Sequence, residues 1–305
     1  MVPVNQADQI LKPHRRQYIL GPEQHLVDVE WQTIELGPVV LSFCPELRAQ
    51  AVQDLDGLTW ILLGLAAQTN PNGKSPAEQI ETTSTADVPK LRYDWAGRWL
   101  LVAKHRVQPD AGSQIGVLVG QDNSGRNWMS SSPVLLQELG GNDWQPFTPS
   151  YQTGAEFFPV PACSLVGATR LMPSQWVDPR NGRIHACQLL PDVPTRRPDD
   201  EILDELAARL KTGFQNVPHT DDPFWFGLSA GGDSRLMLAA AAASGREIST
   251  FTWIASRTKL CDRVLPPKLA ECVGMSHTYV RAGPIVRSRE QLAEEHAGKC
   301  LSRGN

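Results

Sequence analysis

The residues best suited to chemistry form one short run, Ser229-Ala-Gly-Gly-Asp-Ser234. Two adjacent glycines let a backbone approach a ligand closely, and a helix starting behind them offers unpaired N–H groups with a partial positive charge. The hydroxyls of Ser229 and Ser234 add donors, and the Asp233 carboxylate can hold Mg²⁺ against phosphate oxygens. Such a run suits an anion. It contains no Gly-Lys-Ser/Thr, so it is not a Walker A loop, and it lacks the G-x-G-x-x-G of dinucleotide folds. The structural alternative is that Asp233 or Ser234 caps the helix and the glycines only turn the chain.

The elements that must position this run can be read around it. Pro223–Ser229 is a buried-strand segment, and Ser234–Ser244 is an alanine-rich helix that Gly245 can end. Ile248–Trp253 is a second strand, Pro266–Val273 a second helix closed by Gly274, and His277–Arg281 a third strand. This β-α-β-α-β order predicts a parallel, doubly wound sheet, which binds ligands at the carboxyl ends of its strands. Upstream, Asp199 or Asp200 can cap a helix whose apolar positions Ile202, Leu203, Leu206, Leu210 and Phe214 recur at three- and four-residue spacing.

The first 150 residues read differently. Strands are expected at Gln17–Leu20, His25–Leu36, Val39–Cys44, Leu58–Ala67, Arg98–Val107, Ile115–Gly120 and Arg126–Met129, separated by turn-formers such as Asn70-Pro-Asn-Gly73 and Asp122-Asn-Ser-Gly125. The connections are too short for crossover helices, so this half is expected to be antiparallel, with a helix at Pro45–Gln53 and one opened by Ser132-Pro133. From about 151 to 198 the pattern is loose, containing a strand and turn at Leu171–Gly182.

Composition removes several classes of function. The 305 residues are 41% hydrophobic and 20% charged, with a net charge of −4 and no long single-sign run, so no nucleic-acid footprint is present. The longest apolar run, Trp60–Ala67, is strand-length and cannot span a bilayer. The first residues carry no secretory pattern, so the cytoplasm is the expected compartment. Six scattered cysteines without a C-x-x-C pair read as buried reduced thiols; His185-Ala-Cys187 and His296 with Cys300 each lack the second pair a zinc site needs. Trp60, Trp95, Trp99, Trp128 and Trp144 read as core, no histidine cluster nominates a general base, and Arg235 stands either against phosphate or in solvent.

Ser229-Ala-Gly-Gly-Asp-Ser234 resembles the S-G-G-x-D-S pyrophosphate loop of the asparagine synthetase superfamily. Phe251-Thr-Trp253 stands where that family's second strand carries a Phe-Ser-Val-like segment. Asp262 precedes Leu269-Ala270 and Gly274 as in its Asp…Leu-Ala…Gly helix, and His277 and Val280 match its third strand. Leu171-Met-Pro173 with Asp178–Gly182 is similar to the hairpin between the family's two halves. Asp94-Trp-Ala-Gly-Arg98, Asp122-Asn-Ser-Gly-Arg126 and Ser130-Ser-Ser132 look like landmarks of its glutaminase-type domain, so the likeness covers most of residues 58–282.

The resemblance implies an ATP-dependent carboxylate–amine ligase: ATP and Mg²⁺ activate a small-molecule carboxylate, aspartate or an analogue, as an acyl-adenylate, pyrophosphate leaves, and an amine donor attacks. On that reading Leu228, Ser229, Gly231, Gly232 and Ser234 cradle pyrophosphate, Asp233 holds Mg²⁺, and Phe251, Thr252 and Trp253 lie near adenine. Asp262 is either a second acidic contributor or a helix N-cap. The implied organisation is a degenerate, Ntn-hydrolase-like α+β domain over residues 1–150 and a linker hairpin over 151–198. An α/β domain of the adenine nucleotide α-hydrolase-like, PP-loop type follows over 199–305, incomplete at its C-terminus. A homodimer or a separate glutaminase is the implied protein partner.

Three departures qualify the likeness. Ala230 replaces the first loop glycine, which costs roughly 1 kcal/mol if that position needs a positive φ. Val2 stands where glutamine-hydrolysing members expose a nucleophilic cysteine, so no glutaminase is expected and no catalytic nucleophile is nominated. Pro266 and Pro267 imply a helix that starts late. The rival from another class is a non-catalytic, decayed synthetase serving as a binding or assembly protein. Another adenylating enzyme with a pyrophosphate loop, sulfurtransferase-like or tRNA-modifying, fits residues 222–282 alone.

Overall fold

A computed structural model describes residues 14–25, 27, 30–143, 161–187, 197–218, 224–255 and 258–281. Among them, the first part of the chain contributes β1 (Tyr18–Gly21), β2 (Gln32–Glu35), β3 (Val40–Phe43), β4 (Ala49–Gln53), β5 (Thr59–Gln68), β6 (Trp95–Ala103) and β7 (Arg106–Pro109). It continues with β8 (Leu118–Gln121), β9 (Asn127–Ser130), β10 (Thr169–Arg170), β11 (Gln175–Asp178) and β12 (Arg183–Ala186). Two antiparallel six-stranded sheets result, in the orders β10-β8-β9-β1-β3-β2 and β12-β11-β7-β6-β5-β4.

Strand alternation explains how the sheets stack. Leu20, Leu41 and Phe43 of one sheet meet Ile61, Leu63, Leu100 and Val102 of the other in a shared apolar core. The opposite side chains of β5 and β6, Trp60, Leu62, Trp99 and Leu101, are buried too, under Ile80 of the short helix α1 (Pro76–Glu81) and Val88 of a 3₁₀ turn, Val88–Asp94. Ile19, Leu118 and Trp128 of the first sheet lie beneath Leu135 and Leu136 of α2 (Pro133–Glu138). The order is thus short helix, sheet, sheet, short helix. Ser132 caps α2 by accepting the Val134 N–H at 3.2 Å, with Pro133 following as expected.

Two hairpin turns share one chemistry at one spacing. Asp54 Oδ1 accepts the N–H groups of Asp56 and Leu58, and Oδ2 accepts the Trp60 indole N–H at 2.9 Å. Asp122 does the same with Ser124, Arg126 and Trp128, whose indole lies 3.0 Å away. Each carboxylate therefore folds its turn and orients a core tryptophan on the strand that follows. Gly21 is required by close approach, because a Cβ there would lie 2.0 Å from the Trp128 ring.

Several expectations need correction. Residues 45–53 form no helix; their second half is β4, because the long neighbouring strand β5 offers a ladder and Val52 buries into the Trp60 layer. Among the described residues of 25–36 only β2 is a strand; 98–107 divides into β6 and β7 at the turn Lys104-His105; and β8 begins at Leu118 rather than Ile115. The segment from 161 to 187 is built into the sandwich: β10 pairs with β8, and the β11–β12 hairpin with β7.

The remaining elements are α3 (Asp199–Gln215), β13 (Trp225–Gly227), α4 (Gly232–Ser244), β14 (Ser249–Ile254), α5 (Leu260–Cys272) and β15 (His277–Arg281). The three strands are parallel in the order β13-β14-β15, so the described residues wind in one direction only, half of the expected double winding. Pro198, not Asp199 or Asp200, holds the N-cap position of α3, and both acids sit in its first turn, where the helix dipole favours them. Gly245 ends α4 with φ 71, as its position implied.

Helix α5 starts six residues before Pro266 rather than at it. Pro267 leaves the Arg263 carbonyl without its helical donor, and the Tyr279 hydroxyl donates to it instead. Phe226, Leu228, Leu238 and Ala270 bury between the helices and the sheet. Helix α3 ties this part to the sandwich through Arg209, 3.2 Å from Asp94, and through Asn216, whose amide donates to the Gln68 carbonyl at 3.0 Å.

Trp60, Trp95, Trp99 and Trp128 are core residues, as expected. Cys44, Cys163 and Cys187 are buried, whereas Cys261 and Cys272 are exposed on α5, contrary to the reading of all six as buried thiols. Val2, Trp144, His296 and Cys300 lie outside the described residues.

Candidate anion-binding loop

The loop begins where β13 ends. Leu228, which closes the strand, is buried; its N–H donates to the Phe251 carbonyl at 2.8 Å, and its carbonyl accepts the Thr252 hydroxyl at 2.6 Å. Leu228 and Thr252 therefore form the floor of the loop, and the Thr252 hydroxyl is committed to it. Trp253 points to the other face of the sheet and is 59% exposed.

Beyond Leu228 the chain is cross-braced by its own hydroxyls. Ser234 Oγ lies 2.9 Å from Ser229 Oγ and 2.9 Å from the Ser229 carbonyl, and it accepts the Ser229 N–H at 3.2 Å. Ser229 Oγ in turn accepts the Gly231 N–H at 3.2 Å. The two serines hold the loop's shape. Arg235 turns back to donate to the Gly231 carbonyl, so the structure favours neither a phosphate contact nor an idle side chain for it.

Gly231 is the N-cap of α4, with φ −68 and ψ 157, and no side chain caps the helix. Neither Asp233 nor Ser234 is therefore the cap that the structural alternative required. The N–H groups of Gly232, Asp233 and Ser234 have no acceptor among the described residues, the ordinary condition of a first helical turn. Asp233 is exposed and makes no hydrogen bond or ion pair among the described residues. Three donors and one carboxylate thus face outward together.

The backbone settles why the glycines matter. Neither Gly231 nor Gly232 has a positive φ, and a Cβ on Gly232 would meet nothing within 4 Å. Folding does not demand glycine there; what the residue provides is open space above the N–H groups. Ala230 likewise has no positive φ, so the strain that its methyl could have caused is absent.

Asp262 has a role that its position in the sequence did not disclose. Helix α5 is capped at Lys259, so Asp262 is not an N-cap; its Oδ1 accepts the Ala230 N–H at 2.8 Å, reaching across 32 positions. It clamps the loop to α5. His277 lies toward the other end of the strands, its Nδ1 2.9 Å from the Thr250 hydroxyl, and burial lowers its basicity.

No protein-family model matches the chain, and no curated protein matches it in sequence. The loop's own geometry therefore carries the functional argument. A cleft of about 340 Å³ in the sandwich, bordered by Glu35, Asp56 and Lys104, includes none of the loop residues. Among the described residues no cluster of three or more His, Cys, Asp or Glu could hold a metal ion, and no helix is long and apolar enough to cross a membrane.

Proposed function

We propose that this chain is an asparagine-synthetase-like, ATP-dependent carboxylate–amine ligase without its own glutaminase. The observation that carries the reading is Gly232, a glycine that the backbone does not need, above three N–H groups without acceptors. Mg·ATP suits that opening by charge and by room, and when bound it would supply the adenylyl group that activates a carboxylate, with pyrophosphate as the leaving group.

The chain's own residues would then divide the work. The first-turn N–H groups of α4 hold the phosphate oxygens and favour the charge that grows on departing pyrophosphate. Asp233 would hold the Mg²⁺ that accompanies ATP. Ser229, Ser234 and Asp262 keep the loop in one conformation, so that little ordering remains for the ligand to impose. Phe251 and Trp253 offer aromatic surface at the end of β14 for a base. The finer fold assignment belongs to the same proposal: a PP-loop domain, supported by the parallel strands and the loop's place at their carboxyl ends, behind an Ntn-like scaffold, supported by the helix–sheet–sheet–helix order. Cys44 is buried inside that scaffold, which supports the lack of a thiol nucleophile.

The test is binding of Mg·ATP to the full chain, read as a thermal shift against Asp233→Asn. A saturable upward shift that the variant loses is expected, followed by ATP–pyrophosphate exchange with candidate carboxylates such as aspartate. No shift in either folded protein would overturn the ligase reading and favour a binding or assembly protein.

A further inference from the structure

Four strands end the two sandwich sheets, and three of them carry a charge: Arg170 on β10, Glu35 on β2 and Arg183 on β12. The fourth, β4, reads Ala-Gln-Ala-Val-Gln. Charges, prolines and bulges are the devices by which a sheet edge avoids pairing with another chain. Over Ala49–Gln53 there is no charge and no proline, and the register against β5 runs without interruption. Gln50, Ala51 and Gln53 are exposed.

Two bonds fix which way the backbone groups of β4 point. The Asp54 N–H donates to the Leu58 carbonyl at 3.0 Å, and the Gly64 N–H donates to the Arg48 carbonyl at 2.7 Å. In an antiparallel ladder such bonded pairs recur at every second residue. Gln50 opposite Leu62 and Val52 opposite Trp60 lie between those two, so they too direct their N–H and C=O groups at β5. The groups of Ala49, Ala51 and Gln53 therefore point away from the sheet, and no backbone partner meets them among the described residues. Only a strand laid alongside β4 satisfies all of them in one ladder.

We propose that β4 is a dimerisation edge whose occupant is β4 of a second copy of this chain, antiparallel about a two-fold axis at Ala51. That register sets Ala49 opposite the partner's Gln53 and Ala51 opposite the partner's Ala51. All three facing pairs are of the outward kind, so each exchanges two N–H···O bonds, roughly six in all. One residue beyond the strand at either end, Arg48 comes opposite the partner's Asp54. Both backbones turn their polar groups away there, which is where facing side chains approach most closely. A cation thus meets an anion twice. No other alignment pairs the three outward residues with one another and also matches both charges, and this self-complementarity argues for a second copy over an unrelated strand. Val52 stays buried in the Trp60 layer throughout, so the core has nothing to rearrange.

Sedimentation velocity of the full chain from about 1 μM to about 100 μM should show an average mass rising from monomer toward dimer. Ala51→Lys sets two like charges directly across the axis and should weaken association at least about tenfold, and Ala51→Glu should do the same. Mixed in equal amounts, the two variants should associate again as a heterodimer, because lysine then faces glutamate across that axis. Position 51 is exposed, so each variant should melt as the dilute wild-type chain does. A wild-type chain that stays monomeric at every concentration overturns the proposal, and that measurement requires no variant to fold. A dimer that survives both substitutions overturns it as well, since it would rest on another surface. So does a mixture of the two variants that fails to associate.

Discussion

Replacing Asp122 by asparagine tests whether one turn carboxylate organises the outer layer of the first sheet. Burial alone would raise this carboxyl, but the Arg126 N–H, the Trp128 indole, the Arg126 guanidinium and the Ser124 N–H more than reverse that and hold it near about 2, against 3.8 for an ordinary aspartate. At 1.36 kcal/mol per pH unit the ionised form adds at most about 2.4 kcal/mol to stability, and about 1–2 kcal/mol once solvent screening at the turn's edge is allowed. Because the folded value is depressed, this stabilisation is complete above the unfolded value and is lost as pH falls toward about 2. Asp122→Asn removes the charge and turns an amide N–H toward donors, a change of about 1.5–3 kcal/mol at pH 7. Urea unfolding of both proteins, followed by tryptophan fluorescence at pH 7 and pH 3, should show the variant less stable at pH 7. The gap should narrow by about 1 kcal/mol at pH 3. A gap of the same size at both values would falsify the assignment of the stabilisation to the ionised carboxylate.

Two further outcomes separate glycines that serve the fold from glycines that serve the site. Gly21→Ala puts a methyl 2.0 Å from the Trp128 ring, so it should lower stability by at least about 1–3 kcal/mol in the same urea assay and shift the tryptophan emission. Gly232→Ala meets nothing, so its melting temperature should stay within about 1 °C of wild type, since surface changes of this kind are worth under about 0.5 kcal/mol. Its Mg·ATP shift should nevertheless fall at least tenfold in apparent affinity; unchanged binding would show that the opening above the loop is not where phosphate sits.

What can be read from the sequence here is what a few neighbouring residues decide. Gly245 ends α4 because a left-handed residue is needed directly after the last helical turn, and Ser132-Pro133 opens α2 because cap and first position are adjacent. The loop belongs to the same class: its glycines and carboxylate stand side by side, and the structure places them at the start of α4, with Gly231 as the N-cap. What could not be read depends on partners far along the chain. Two prolines look like a late helix start until Tyr279, 16 positions beyond Arg263, takes the carbonyl that Pro267 leaves open. Residues 49–53 look helical until β5 offers a ladder. Asp262 looks like a cap or a metal ligand until Ala230 is placed beside it.

One signal lay open at the level of spacing. Asp54-x-x-Gly57-x-x-Trp60 and Asp122-x-x-Gly125-x-x-Trp128 share an aspartate, a glycine and a tryptophan at the same intervals, in turns belonging to different sheets. A turn aspartate normally satisfies its own backbone and stops there. Here the second oxygen reaches the indole of the residue six positions on, which must lie on the following strand and point to the helix-covered face. The spacing therefore encodes the hairpin, its register and the side of the sheet at once.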